Sequence, residues 1–330
     1  MIIAEIGQAH DGSLGIAHSY IDSLSDTGVD AIKFQTHIAN AESSIFEPFR
    51  VDFSYEDKTR MEYWKRMEFT IEEWHGLKKH CNDLDLEFIS SPFSCAAVDL
   101  LEKIGVKRYK IGSGEVSNFL LLEKIARTGK PILLSSGLST FKDLDGTLDF
   151  LKGFKNHISI LQCTTSYPTK PDEWGLNLIS ELKERYKVPI GFSDHSGNIN
   201  ACLAATAFGA EILEFHTVFD RRIFGPDSSA SITIDEVKLL VTGVNEIKSS
   251  LNSDFKKTDT QKTLELKLIF EKSLSVNKDL LIGHQLCIED LETKKPSNQG
   301  ISASEFKYVI GKKLTKNKSQ WDFLKADDIE

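Results

Sequence analysis

Two histidines, His195 and His216, each follow a short apolar run, PIGF in one case and EILEF in the other, with the small-residue segment ACLAATAFGA between them. That is a strand–helix–strand unit. A right-handed crossover makes its strands parallel, so both imidazoles leave the sheet at one edge. Imidazoles so placed suit a borderline divalent metal, Mn2+, Zn2+ or Fe2+, rather than a soft-metal site. Lys33 in DAIKFQTH and Lys110 in YKIGSGE sit inside or at the end of strand-like runs, where a lysine points inward. An inward ammonium is costly unless it meets an anion. Hydroxyls at neighbouring strand ends (Ser91, Ser113, Thr165, Ser193), with the backbone N–H groups of IGSGE and SSG, make a cradle for phosphate or carboxylate. The competing arrangement pairs each lysine internally with Glu5, Glu115 or Glu214. Strand neighbours face opposite ways, so Glu214 shares the inward face of His216. Glu115 reads as a third metal ligand or a proton-transfer group. Asp11, Gln35, Tyr167 and Asp227 fall at the same strand ends or on the loops just beyond.

What must position these residues is a repeated strand–helix unit. Strand-like runs at 1–7, 30–37, 86–94, 106–115, 131–137, 157–168, 188–195 and 211–220 alternate with helical periodicity at 14–26, 71–84, 95–104, 119–128, 140–152, 176–186, 198–208 and 235–250. Eight repeats over about 250 residues predict a TIM (β/α)8 barrel, whose chemistry sits at the C-terminal strand ends. An open doubly wound sheet is the alternative, but QAHDGS after the first strand is not a glycine-rich dinucleotide turn. Residues 38–68 are charged and aromatic with no strand pattern, an excursion expected to shape a functional face. Trp64, Trp74, Phe93, Phe119 and Phe141 are expected in the core. The barrel is assigned to 1–250, a polar, lysine-rich and partly helical linker to 251–272, and a small mixed domain to 273–330.

The 330 residues carry 40% hydrophobic and 27% charged side chains, ample for a core and too polar for a membrane protein. No apolar run approaches the ~20 residues of a membrane helix. MIIAEIGQAHDG has no basic leader, so the cytoplasm is the expected location. Five scattered cysteines without a CxxC pair read as reduced thiols. A net charge of −9 argues against nucleic-acid partners while leaving room for a locally basic site.

In order along the chain, IIAEIGQAHDGS, DAIKFQTH, FISSPFS, YKIGSGE, LLSSG, QCTTSYP, GFSDHSG and GPD resemble the bacterial sialic acid synthases and the wider nonulosonic acid synthase family. NKDLLIGHQL and TKKPSNQGIS resemble that family's C-terminal antifreeze-like (SAF) domain. The resemblance implies condensation of phosphoenolpyruvate with an N-acylated amino sugar such as N-acetylmannosamine, with water consumed and phosphate released. It implies Mn2+ as the usual metal, and a homodimer in which each SAF domain covers the partner's barrel. Matched by position, His195 and His216 are the metal ligands. Lys33, Ser91, Lys110, Ser113, Ser193 and Thr165 contact phosphoenolpyruvate, and Gln35, Tyr167, Glu115 and Asp227 lie near the sugar or the reacting centre. Asp11 is matched to proton transfer. Gln162 stands where the family has histidine. Lys295 stands where the tail carries a sugar-binding arginine, whose planar fork lysine cannot reproduce.

Three other functions share some of these features. A metal-dependent hydrolase on this barrel needs a histidine pair after the first strand, and AHDG has one. An aldol-type keto-acid synthase shares the lysines but normally lacks the tail. A non-catalytic sugar-binding protein would not need the polar strand ends.

Overall fold

The computed structural model describes residues 1–51 and 53–330. It divides into two compact units, Met1–Ser253 and Asp254–Glu330.

The first unit is a closed parallel barrel. Its strands are β1 (Ile2–Gly7), β2 (Ala31–Thr36), β3 (Glu87–Pro92), β4 (Tyr109–Ile111), β5 (Ile132–Ser135), β6 (Ile158–Cys163), β7 (Ile190–Asp194) and β8 (Ile212–Val218). Each pairs with the next, and β8 returns to pair with β1, Glu5 standing opposite His216. A two-residue β9 (Ile232–Thr233) pairs in parallel with the end of β8. The helices are α1 (Leu14–Ser25), α2 (Ala39–Glu42), α3 (Arg60–Met67), α4 (Ile71–Asp83), α5 (Cys95–Ile104), α6 (Phe119–Ala126), α7 (Phe141–Leu151), α8 (Asn177–Tyr186), α9 (Asn200–Ala207) and α10 (Ile234–Leu251). The TIM-barrel expectation holds; an open sheet would leave β1 and β8 as edges.

The strands are buried on both faces, and the period of two sorts their residues. Ile2, Ala4, Ile6, Ile32 and Phe34 face the helices and join the main core. Ile3, Ala31, Ile89, Leu133, Leu161 and Ile212 face inward and plug the N-terminal half of the barrel. Two residues further along those strands the inward positions turn polar, which gives the barrel a wet C-terminal half. At Gly191 the inner wall has no room for a side chain, because a Cβ would lie 2.6 Å from the Ile212 carbonyl oxygen.

The excursion has structure that its composition did not suggest. Thr59 and Glu62 form a reciprocal capping box that starts α3. Tyr63, Trp64 and Met67 of α3 then pack with Ala39, Phe49 and Phe53 into a satellite core.

The second unit holds α11 (Gln261–Phe270), the antiparallel pair β10 (Ser273–Val276) and β11 (Leu291–Lys294), and α12 (Phe306–Val309). Leu274, Val276, Leu286, Val309, Leu314 and Leu324 form its core. It takes in the stretch read as a linker, since the Ser297 N–H donates to the Leu268 carbonyl of α11 at 3.2 Å. Among the described residues no helix is long and apolar enough to cross a membrane.

Gly191→Ala should cost about 1–3 kcal/mol by overpacking the barrel interior. Urea unfolding would show this as a lower midpoint with an unchanged slope, whereas an unchanged midpoint would mean that the β7–β8 wall yields.

Candidate active site

The wet half of the barrel opens into a cavity of about 370 Å3 at the C-terminal strand ends. Its floor is a cluster of charges. The Lys33 ammonium lies 2.9 Å from Glu5 Oε2 and 3.3 Å from Glu214 Oε1, and Lys110 lies 3.1 Å from the same Glu214 oxygen. Lys110 also donates to Ser135 Oγ at 2.7 Å, and Ser193 Oγ donates to Glu214 Oε1 at 2.9 Å. All four charged side chains are at most 3% exposed. The internal pairing weighed for the lysines is therefore present, with Glu5 and Glu214 and not Glu115 as the partners.

The four groups are unequally served. Burial pushes the Glu5 and Glu214 carboxyls up, but for Glu5 the charges of His216, Lys33 and Lys110 outweigh it, and for Glu214 those of Lys110 and Lys33 do so; both stay below the usual carboxylate range. Burial also disfavours charge on Lys33, which two carboxylates overcome. Lys110 shares one carboxylate with Lys33, and there burial wins and lowers its pKa. An anion entering the cavity would supply the counter-charge that Lys110 lacks.

The histidines meet above this floor with ring centroids 5.3 Å apart. Each has one ring nitrogen anchored. His195 Nδ1 bonds the Thr164 carbonyl at 2.9 Å, and Nε2 faces the Tyr167 hydroxyl at 3.0 Å. His216 Nε2 lies 3.2 Å from Glu5 Oε2, and Nδ1 lies 4.0 Å from Asp227 Oδ2. A carbonyl or carboxylate on the far nitrogen is what orients a metal-ligating imidazole. Burial lowers the His216 pKa, against the carboxylates of Glu5 and Asp227, which raise it. Burial acts the same way on His195, but the Cys163 sulfur and the Thr164 carbonyl outweigh it and push the pKa up to about 9, so a cation there must displace a proton. Among the described residues no group of three His, Cys, Asp or Glu side chains is arranged as a metal cage. The lining carries six carboxylates (Glu5, Glu42, Glu47, Glu115, Glu214, Asp227) against four cations (Lys33, Lys110, Arg50, Arg60). A divalent cation on two imidazoles fits that imbalance and leaves its other positions to substrate oxygens or water.

On the β4–β5 side, Ser113 Oγ accepts the Gly137 N–H at 3.1 Å. A Cβ at Gly137 would lie 2.5 Å from Thr165 Oγ1 and 2.7 Å from Ser113 Oγ, so glycine is required for the loops to close here. Burial raises the Glu115 carboxyl, which suits a group that carries a proton.

The cavity thus brings together Lys33, Gln35, Ser91, Lys110, Ser113, Glu115, Thr165, Tyr167, Ser193, His195, His216 and Asp227. It does not bring in Asp11, which sits in a positive-φ turn with its carboxylate on Arg66, 2.5 Å away. Lys295 lies in the second unit, its ammonium 4.9 Å over the Phe270 ring. Of the aromatic residues expected in the core, Trp64 is in the satellite core with one face on the cavity, Phe93 lines the cavity, and Phe119 is exposed. Sequence reasoning gave Glu5 no role beyond ion pairing and missed Arg50, Glu47 and Arg60. Arg50 bonds Asp227 at 2.5 Å and lies 4.0 Å over the Tyr167 ring, joining the excursion to two barrel loops. Glu5 could have been found by period: it is two residues after Ile3 on an inward face.

Residues 20–256 match the NeuB family. The chain is 33% identical to the N,N'-diacetyllegionaminic acid synthase of Campylobacter jejuni, over 98% of each chain. It is 32% identical to the pseudaminic acid synthase of Helicobacter pylori, over 100% of this chain and 97% of that one. A crystal structure of the N-acetylneuraminic acid synthetase of Leptospira borgpetersenii, in complex with citrate, superposes with a TM-score of 0.70 at 31% identity, covering 81% of this chain and 90% of that one.

Lys33→Ala would take an ammonium from two buried carboxylates, leaving Glu5 with Gln35 and His216 and Glu214 with Lys110 and Ser193. In the folded protein both titrate below the ordinary value of 4.5, so their stabilisation is present above that pH and is lost as pH falls through the folded values. The variant should lose about 3–5 kcal/mol near pH 7. The deficit should shrink as pH falls toward 5, where these carboxylates protonate. Urea midpoints across this range test it, and a pH-independent deficit would contradict the ionic account.

Proposed function

The chain belongs to the NeuB family, and from that premise we propose that it condenses phosphoenolpyruvate with an N-acylated amino sugar and water, giving a nonulosonic acid and phosphate. One observation carries the reading: the under-compensated Lys110 beside Lys33, at the foot of a cavity whose wall holds two anchored imidazoles.

Lys33 and Lys110 hold the carboxylate end of phosphoenolpyruvate. Ser91, Ser113, Thr165 and Ser193, with the backbone around Gly137, receive its phosphate. His195 and His216 are the residues that would hold a divalent cation, Mn2+ in this reading. When bound, such an ion supplies Lewis-acid polarisation of the open-chain aldehyde. Gln35, Tyr167 and Asp227 orient the sugar so that C3 of phosphoenolpyruvate meets the aldehyde carbon. Forming that bond leaves positive charge at C2, where water adds. The tetrahedral centre then expels phosphate by C–O cleavage. Glu115 handles the proton of the water, a role that Asp11, held by Arg66, is not placed to take.

The reading includes a cytoplasmic homodimer in which the second unit of one chain covers the barrel mouth of the other, bringing Lys295 to the sugar. Its support is α11, which carries Leu264, Leu266, Leu268, Ile269 and Phe270 with no buried residue, an apolar surface suited to a second chain.

With Mn2+, phosphoenolpyruvate and a panel of N-acylated hexosamines, phosphate release should require both substrates, and the product mass should equal their sum plus water minus phosphoric acid. Release from phosphoenolpyruvate alone would indicate a phosphatase. His216→Ala should lose bound metal and turnover together, by on the order of 100-fold or more. If the dimer exchanges domains, mixing inactive His216→Ala with inactive Lys295→Ala should restore part of the activity. No recovery on mixing would refute the exchange.

A further inference from the structure

His37 and Glu42 lie in the cavity wall, on the excursion side, and neither contacts His195 or His216. The His37 side chain is 3% exposed and that of Glu42 7%. The His37 ring is clamped between aromatic faces, 3.7 Å from Trp64 at 18° and 4.7 Å from Phe93 at 10°. Its edge therefore points along one line. Nδ1 lies 2.6 Å from Glu42 Oε1, and Nε2 lies 3.2 Å from Gln35 Oε1.

The donor and acceptor roles along that line follow from its far end. Glu5 Oε2 already meets the Lys33 ammonium at 2.9 Å, and its Oε1 faces the Gln35 amide. Gln35 meets Glu5 Oε1 at 2.7 Å and must turn its amide NH2 that way. Its carbonyl oxygen then faces His37, and also takes the Gln8 amide at 2.9 Å. His37 must donate from Nε2 to that oxygen. Nδ1 lies against Oε1 of Glu42, whose other oxygen takes the Ile38 N–H at 3.3 Å, so the ring is held at both nitrogens.

We propose that His37, clamped between Trp64 and Phe93 and tied to Glu42, is a positioning residue that holds the Gln35 amide in the orientation that meets Glu5 and the acceptor sugar. The chain Glu42–His37–Gln35–Glu5–His216 ties the excursion to a candidate metal ligand through four side-chain contacts. Without the His37 donor, the Gln35 carbonyl loses a partner and the amide is freer to rotate, which would set an oxygen against the Glu5 carboxylate. The fault would fall on the sugar side, because Lys33 and Lys110 keep their own partners.

The inference rests on the synthase reading for its kinetic consequence, so the test has two separable parts. Nitrogen-15 NMR of the histidine-labelled full chain should show a ring with a slowly exchanging Nε2 proton that vanishes in His37→Phe, which keeps the aromatic stack. A His37 ring with a bare Nε2 in the wild type would overturn the proposal whatever the enzyme turns over. In steady-state kinetics with the best acceptor of the panel, His37→Phe should raise KM for the sugar by about 10-fold and leave KM for phosphoenolpyruvate within about twofold. Glu42→Gln, which keeps an acceptor and disturbs the fold least, should move the same constant in the same direction by less. The double variant should be no worse than His37→Phe, since the two residues act as one chain. Equal losses for both substrates, or an unchanged sugar KM, would refute it. A wild type that turns over no sugar would instead refute the reaction assigned above, and the NMR result would still decide the ring.

Discussion

Burying two lysines and two glutamates inside a barrel sets the terms for everything above them. Lys33, Lys110, Glu5 and Glu214 share the polar layer directly above an apolar plug, and their desolvation is offset only by one another and by Ser135 and Ser193. A network of this kind is weak evidence for stability, because apolar residues of the same volume would serve as well or better. Its value lies in holding charge where an anion can use it. Lys33, with two carboxylates, is fully served, while Lys110 shares one. Glu214 Oε2 also has no hydrogen-bond partner. The layer is satisfied enough to fold and leaves a deficit beside Lys110 that a bound anion would complete.

The same layer orients the next one. Glu5 reaches from Lys33 to His216 and accepts from Gln35, so one carboxylate links the anion floor, a candidate metal ligand and the sugar side. The excursion closes the other wall. Its satellite core of Tyr63, Trp64 and Met67 fixes a platform, and from it Arg50 crosses to Asp227 and Tyr167 while His37 reaches Gln35. Strand ends carry the lysines, glutamates and histidines of the cavity, and the excursion brings Arg50 and His37 to its other wall.

Much of the barrel was legible because its signals are local. Strand residues alternate between helix-facing and inward positions, and helices announce themselves by periodicity and caps, so the elements fall within a few residues of their expected bounds. The excursion was not read as structured, although Thr59 and Glu62 spell a capping box, because α3 is short and packs on neighbours distant in sequence. Phe93 and Phe119 were placed in the core on residue type. Phe93 lines the cavity and Phe119 is exposed, and type alone cannot tell these environments apart.

By itself the sequence determined the fold class, the inward register of Lys33, Lys110, Glu214 and His216, and the convergence of both histidines at one edge, since these follow from a period of two and a fixed crossover hand. Only the tertiary structure decided which charges meet. Whether Lys33 faces Glu5, Glu115 or Glu214 depends on stagger around a closed sheet, a property of eight strands together. It likewise decided that Asp11 turns to Arg66, that Arg50 spans 177 residues to reach Asp227, and that His37 stands between Glu42 and Gln35. Contacts between side chains so far apart along the chain leave no local periodicity to read.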